Sequence, residues 1–305
     1  MIQSGLSSTL GNKSIDIIIL FEAIPKTTDA MLPEDSEMPR NPGAVNSALS
    51  DKLKAIIEVS IVEAVFFVVA WYLQAIYQMQ YGWYSKTVMI ILGFVGILIH
   101  RKSRNYRILP RNLRFSVKWA TYTILLFAII DVIIVLASLL MAPRLRINLR
   151  ALIIDAIWFF LFVGFSEELF FRGYVQSRLN EVFTHKYEKI LGVDFKWSRG
   201  TLITGVVFFG IPHILTGINP FTGRAFISPV IVMVTLFACF LGIIFGVLRE
   251  KTGGIILPTI LHSLIDFTVY GIGRIVGLAL SNIAAGVAIF LFLAISFQKI
   301  LKEQV

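Results

Sequence analysis

The chain has 305 residues, 56% of them hydrophobic and only 15% charged, with a formal net charge of +9; its mean hydropathy is +0.78. A soluble globule of this composition would expose much of its apolar surface to water, so lipid is the better solvent for most of the chain. The lone cysteine, Cys239, excludes an internal disulfide and a cysteine-built zinc site, and is read as a small core residue.

In chain order, residues 1–54 scatter Pro25, Pro33, Pro39 and Pro42 among Ser, Asn, Asp and Glu. That composition buries too little surface to order itself, so 1–54 is expected to be a flexible cytoplasmic tail. Its one apolar run, Ile17 to Phe21, is too short to span and lacks the basic leader and cleavage site of a signal peptide. At most it forms a short interfacial helix.

A helix needs about 20 mostly apolar residues to cross a bilayer. Stretches near 55–78, 87–100, 116–141, 152–171, 201–216, 228–248, 254–272 and 275–298 approach that length. They predict an all-α, polytopic membrane bundle of about eight helices over 55–305, with a catalytic core at about 150–272. The second and fifth stretches are short, so tilt or partial insertion is expected there. Glu58, Glu63 and Asp131 fall inside spans and should face other helices. Residues 173–200 form the largest cytoplasmic connection, in which Tyr174, Val175, Leu179, Val182 and Phe183 give the fourth helix an amphipathic extension. Gly242 with Gly246, and Gly273 with Gly277, have the GxxxG spacing of close helix packing.

Basic residues set the orientation. Arg101, Lys102, Arg104, Arg107, Arg111, Arg114 and Lys118 crowd one connection, assigned to the cytoplasm. Alternation from there puts both termini inside and 22 of the 28 Lys and Arg on one side. The plasma membrane is the expected location. Arg144, Arg146 and Arg150 dissent on the outer side. The charge thus follows topology, and nucleic acid is not an expected partner; lipid is.

Three polar clusters interrupt the apolar segments: Ser166 to Arg172, Phe209 to His213, and His262 to Asp266. An acidic or basic residue at a helix centre costs roughly 2.5–3.5 kcal/mol on insertion scales, so such groups are usually functional. Glu168 and Arg172 are four apart and can form a structural ion pair on one helix face. Glu167 points about 100° away from its neighbour, free to enter the bundle as a general base. The plain alternative is a pair of boundary carboxylates. His213 follows Pro212, which loosens the preceding turn, and Phe209 one turn earlier can wall the same pocket. An isolated histidine near a helix end is also a common structural partner. His262 and Asp266 are four apart, so the carboxylate can orient the ring, or both can bind a metal; a helix-joining hydrogen bond is the alternative. Intramembrane polar groups pair or line a cavity. Jointly, these residues are expected to gather around one water and activate it, the carboxylate taking its proton and the remaining pair stabilising the oxyanion. At 1.5 Å per residue His213 would lie roughly 18 Å into its helix, deeper than Glu167 and His262, so convergence requires a tilted or broken fifth helix.

The pattern Glu167-Glu168-x-x-x-Arg172, Phe209-x-x-x-His213 and His262-x-x-x-Asp266, with Gly173 and Tyr174 after the arginine, resembles the three motifs of the CPBP family over about 160–270. These are intramembrane endopeptidases related to the type II CAAX prenyl protease and to bacteriocin-processing or immunity proteins. The resemblance implies a helical membrane protease whose site opens toward the cytoplasm. In it Glu167 and His213 activate water, while His262 and Asp266 support the oxyanion or a metal. It leaves the cofactor open, since both metalloprotease and metal-independent glutamate mechanisms have been ascribed to the family. A divalent ion such as zinc would be held by Glu167, His213, His262 and Asp266. Prenyl proteases typically carry Asn where this chain has Asp266, and an ionised Asp cannot donate to an oxyanion. The departure favours metal ligation or orientation of His262.

The expected function is hydrolysis of a peptide bond near the cytoplasmic membrane face, in a lipidated C-terminus, a leader peptide or a transmembrane protein. Two rivals remain at this point: a proton- or ion-coupled transporter using the same residues as a relay, and a non-catalytic immunity or scaffold protein.

Overall fold

The computed structural model describes residues 42–77, 81–100, 106–141 and 147–305. The chain divides into two compact units, 1–44 and 45–305. Of the first, only residues 42–44 are described, as the opening of a helix. The expectations for the rest of the tail, including the run Ile17 to Phe21, and for Arg144 and Arg146 lie outside the described residues.

Eight long helices follow one another: α1 Pro42–Ile76, α2 Trp83–Ile99, α3 Leu113–Met141, α4 Leu149–Val182, α5 Arg199–Gly217, α6 Pro229–Thr252, α7 Ile256–Val276 and α8 Leu278–Lys302. Each expected stretch lies on one of them, and the protein is an all-α membrane bundle. Helices α3 to α8 are six that are long and apolar enough to cross a membrane, and α2 is apolar but has only 17 residues. The expected count of eight crossings is therefore six by length and composition, among the described residues. The first helix also begins at Pro42, not near residue 55.

The outer faces are apolar, as in Val132, Ile133, Leu136 and Leu140 of α3 or Val230, Met233 and Phe237 of α6. Polar groups such as Asp131 and Thr268, 3.1 Å apart across α3 and α7, lie inside. That inversion suits a lipid solvent, which rewards apolar exteriors and requires polar groups to pair internally. α7 is the most enclosed helix, with 67% of its apolar window buried, so residues on it are held centrally.

α4 has 34 residues, about 51 Å at 1.5 Å per residue, against a hydrocarbon core of about 30 Å. Its last turns continue the helix to Val182, where the sequence places an extension of the fourth helix. Beyond it, the 173–200 connection holds a feature missed in the sequence: an antiparallel hairpin of β1 Lys186–Ile190 and β2 Val193–Ser198. Leu191 (φ 47°) and Gly192 (φ 77°) make its two-residue turn, and paired positive φ values match the twist of a tight hairpin. A smaller hairpin, β3 Ile218–Asn219 with β4 Arg224–Ala225, follows α5.

The two GxxxG pairs have different fates. On α6, a Cβ at Gly242 would lie 2.4 Å from the Gly205 carbonyl oxygen, so the absence of a side chain is what lets α6 meet α5. Gly277 instead has φ 88°, meets nothing within 4 Å, and ends α7, so Gly273 and Gly277 are not a packing pair.

At one end of the bundle Glu58 of α1 accepts from Tyr174, His100 and Arg178, each at 2.8 Å. There too Lys118 meets Glu303 at 2.7 Å. At the other end Arg274 grips Asp155 with two bonds of 2.7 and 2.9 Å, joining the close of α7 to the start of α4.

Candidate functional site

The site forms where α4 and α5 depart from regular α-winding. Residues 158–164 and 168–175 of α4 and 204–210 of α5 are π-helical, a winding that recurs at functional sites. At Ile211 α5 tightens into a 3-10 turn that carries Pro212 and His213 to Gly217. Pro212 has no N–H to donate, which favours a break at this point. The fifth helix thus changes its winding beside His213 while remaining continuous. α4 also runs well past its expected C-terminal end, which puts Glu167 near its middle.

Glu168 and Arg172 are both 0% exposed. Arg172 Nη1 donates to Glu168 Oε1 at 3.0 Å and Nη2 to the Gly242 carbonyl at 3.2 Å. Its guanidinium lies 4.0 Å from the Phe209 ring centroid and 5.2 Å from that of Phe245, so the charge is sandwiched by aromatic faces. Glu168 Oε1 also accepts from His262 Nδ1 at 2.8 Å. Because a carboxylate only accepts, the proton belongs on Nδ1, and Glu168 fixes the ring's orientation. The ring stacks on Phe245, centroids 5.0 Å apart.

His262 Nε2 lies 3.7 Å from Glu167 Oε2 and 3.5 Å from Asp266 Oδ2, within ion-pair reach but beyond a good hydrogen bond. Glu167 is not the unpaired carboxylate expected: its Oε1 accepts from the ammonium of Lys86 on α2. Lys86 is the site residue that sequence reasoning missed. Its one signal was a single cation inside the short apolar α2.

His213 Nδ1 donates to the Phe209 carbonyl at 2.8 Å, which directs the opposite nitrogen, Nε2, away from its own backbone. The Phe209 ring stands edge-on to both imidazoles, 5.0 Å from His213 and 5.7 Å from His262. Glu167, His213, Phe209 and Lys86 line one cavity of about 470 Å³. His262 and Asp266 are not among its walls; they adjoin it through Glu167.

The residues do not fit a metal centre. Among the described residues no three His, Cys, Asp or Glu side chains are grouped to hold an ion. The Lys86 ammonium already occupies Glu167 Oε1, and Glu168 holds Nδ1 of His262. What the arrangement offers is a carboxylate and an imidazole facing a shared cavity, backed by a buried carboxylate–guanidinium–imidazole network.

Residues 149–268 match the family described as type II CAAX prenyl endopeptidase Rce1-like. That segment holds all three motifs. No curated protein and no solved structure matches the chain.

Proposed function

From the match of residues 149–268 to the type II CAAX prenyl endopeptidase family, we propose that the protein is an intramembrane endopeptidase in which Glu167 and His213 activate the attacking water. The observation that carries this reading is the cavity shared by Glu167 and His213, which is large enough for a peptide segment and a water. Glu167 takes a proton from that water, and the resulting hydroxide adds to the scissile carbonyl. His213 Nε2 accepts the second hydrogen of the water and orients it. The proton held by Glu167 passes to the departing amine, so carboxylate is regenerated as acid and amine products leave.

His262 and Asp266 stand behind Glu167. Two acceptor oxygens facing His262 Nε2 suit an N–H there, and that N–H steadies the Glu167 carboxylate from behind the cavity wall. Asp266 accepts and does not donate, so its part is to orient His262. Glu168 and Arg172 hold the ring from below and do not touch the substrate.

Purified full-length protein in detergent, given a quenched fluorescent peptide library, tests this. Glu167→Gln and His213→Ala should each lower cleavage by roughly 10²–10⁴-fold, the range of general acid–base contributions, with an unchanged thermal melt. Retention of more than a tenth of wild-type cleavage by either well-folded variant would refute the assignment.

A further inference from the structure

We propose that the protein binds a phosphate group in a second recess, of about 480 Å³, at the end of the bundle where Arg178 meets Glu58. Here the close of α6 meets the β1–β2 hairpin and the 106–112 segment that leads into α3. The recess shares no wall residue with the Glu167 cavity, and binding there does not depend on the peptidase reading.

Five cations line the recess and come from three parts of the chain. Arg111 belongs to the segment before α3, Lys186 and Lys196 to the two hairpin strands, and Arg249 and Lys251 to the last turn of α6. Cations in the last turn of a helix are ordinary, because they meet the negative end of its dipole. That accounts for Arg249 and Lys251 alone. The other three are brought in by tertiary structure, against mutual repulsion.

Among the described residues, Glu250 is the one carboxylate side chain in the lining, and its neighbours already engage it. Oε1 accepts from the Ser198 N–H at 2.9 Å, from Asn180 Nδ2 at 3.3 Å and from the Thr201 hydroxyl. Oε2 accepts from the Ser198 hydroxyl at 3.2 Å. Lys186 lies 3.5 Å from that oxygen but only 2.7 Å from the Ser198 hydroxyl. Lys251 donates to the carbonyls of Leu301 and Glu303, at 2.8 and 2.6 Å, and the 3.3 Å pair of Lys196 with Glu188 is exposed. Among the described residues, the Arg111 side chain has no ion pair or hydrogen bond. An anion would complete this surplus of positive charge.

The framework holds these cations in place. The Arg111 N–H donates to the Thr252 carbonyl and the Ile255 N–H to the Ile108 carbonyl, both at 2.9 Å, which ties the segment to the close of α6. Gly253 ends α6 with φ 72°, and a Cβ there would lie 2.7 Å from Arg111 Cγ, so the glycine lets the arginine stem cross the helix end. Arg249 is buried, and its Nη2 donates to the Ser177 hydroxyl at 2.7 Å. Guanidinium offers phosphate oxygens a planar fork that an ammonium lacks, and two of the five cations carry one. α6 is long and apolar enough to cross a bilayer, so its last turn belongs at headgroup depth. Basic pockets between helices at that depth take phosphorylated headgroups. A lipid headgroup and a free phosphate share this chemistry.

Thermal melts of the purified full-length protein in neutral detergent separate the two sources. One arm compares inorganic phosphate with chloride at equal ionic strength. The other compares micellar short-chain phosphatidic acid with the matching diacylglycerol, which lacks only the phosphate. A probe that fills the site should raise the melt by about 3 °C or more at about ten times its Kd. A shift with phosphatidic acid alone identifies the headgroup as the source, and a shift with inorganic phosphate identifies the free ion. Arg111 and Lys196 are exposed, so Arg111→Gln with Lys196→Gln should leave the ligand-free melt unchanged and weaken binding about tenfold or more. Lys196→Gln alone should weaken it about threefold and serves as the readout if the double variant folds poorly. No shift of the wild-type melt with either probe would overturn the site. So would equal shifts in wild type and variants, the mark of a general salt effect.

Discussion

The two ends of the bundle treat their polar groups in opposite ways. At the basic end, acids and bases are spent on one another: Glu58 takes three donors, and Glu250 accepts from the Ser198 backbone at 2.9 Å and from its hydroxyl at 3.2 Å. At the cavity end, Glu167 and His213 border open space and keep acceptor capacity directed into it. Between them lies the buried Glu168–Arg172–His262 network. Saturated groups brace helices, whereas a catalyst must leave a lone pair unspent, so the contrast separates scaffold from candidate chemistry between the two ends of the bundle.

The sharpest way to break the comparison is to attack the layer between the ends. Arg172→Met leaves Glu168 charged and buried without its guanidinium, a loss of about 3–5 kcal/mol for one partner of a buried pair. Differential scanning fluorimetry in detergent should register it as the largest fall in melting temperature of any variant described. A melt within two degrees of wild type would contradict the bracing role. Next comes Gly242→Ala, whose new methyl would press on the Gly205 backbone and cost about 1–3 kcal/mol by overpacking. The same methyl on Gly277→Ala meets no neighbour but occupies a positive-φ position, so any destabilisation there is backbone strain and should leave cleavage intact.

At the saturated end, Glu58→Gln weakens a partly exposed pair with Arg178 and should cost no more than about 1 kcal/mol. Peptide cleavage at saturating substrate should remain within twofold of wild type; a tenfold loss would show that this end takes part in the chemistry. The smallest effect belongs to the cavity mouth. Arg224→Gln should raise KM a few-fold for a peptide with an acidic group beside the cleavage point, leaving kcat and the melt unaltered. An equal rise for a neutral peptide would show that the Arg224 charge in the cavity lining does not meet the acidic group.

Much of the scaffold was legible because a membrane span declares itself by length and composition. α3 and α6 lie within a few residues of the stretches expected for them. The three motifs were legible because carboxylates and imidazoles stand out in apolar helices. Spacing could not reveal the π-winding of α4 and α5, which changes register without changing residue type. Nor could it reveal that Lys86 seeks Glu167, since a lysine near the end of a short apolar helix reads as an interfacial anchor. The β1–β2 hairpin was obscured by its charged strands, although Leu191–Gly192 between alternating residues was a usable turn signal.

Lys86 is rooted in the first turns of α2, while the carboxylate it neutralises belongs to α4. A displacement of one helix along the other by even a single residue's rise would pull the ammonium away and leave Glu167 as a bare anion. The basicity of Glu167 is therefore tied to the way α2 seats against α4.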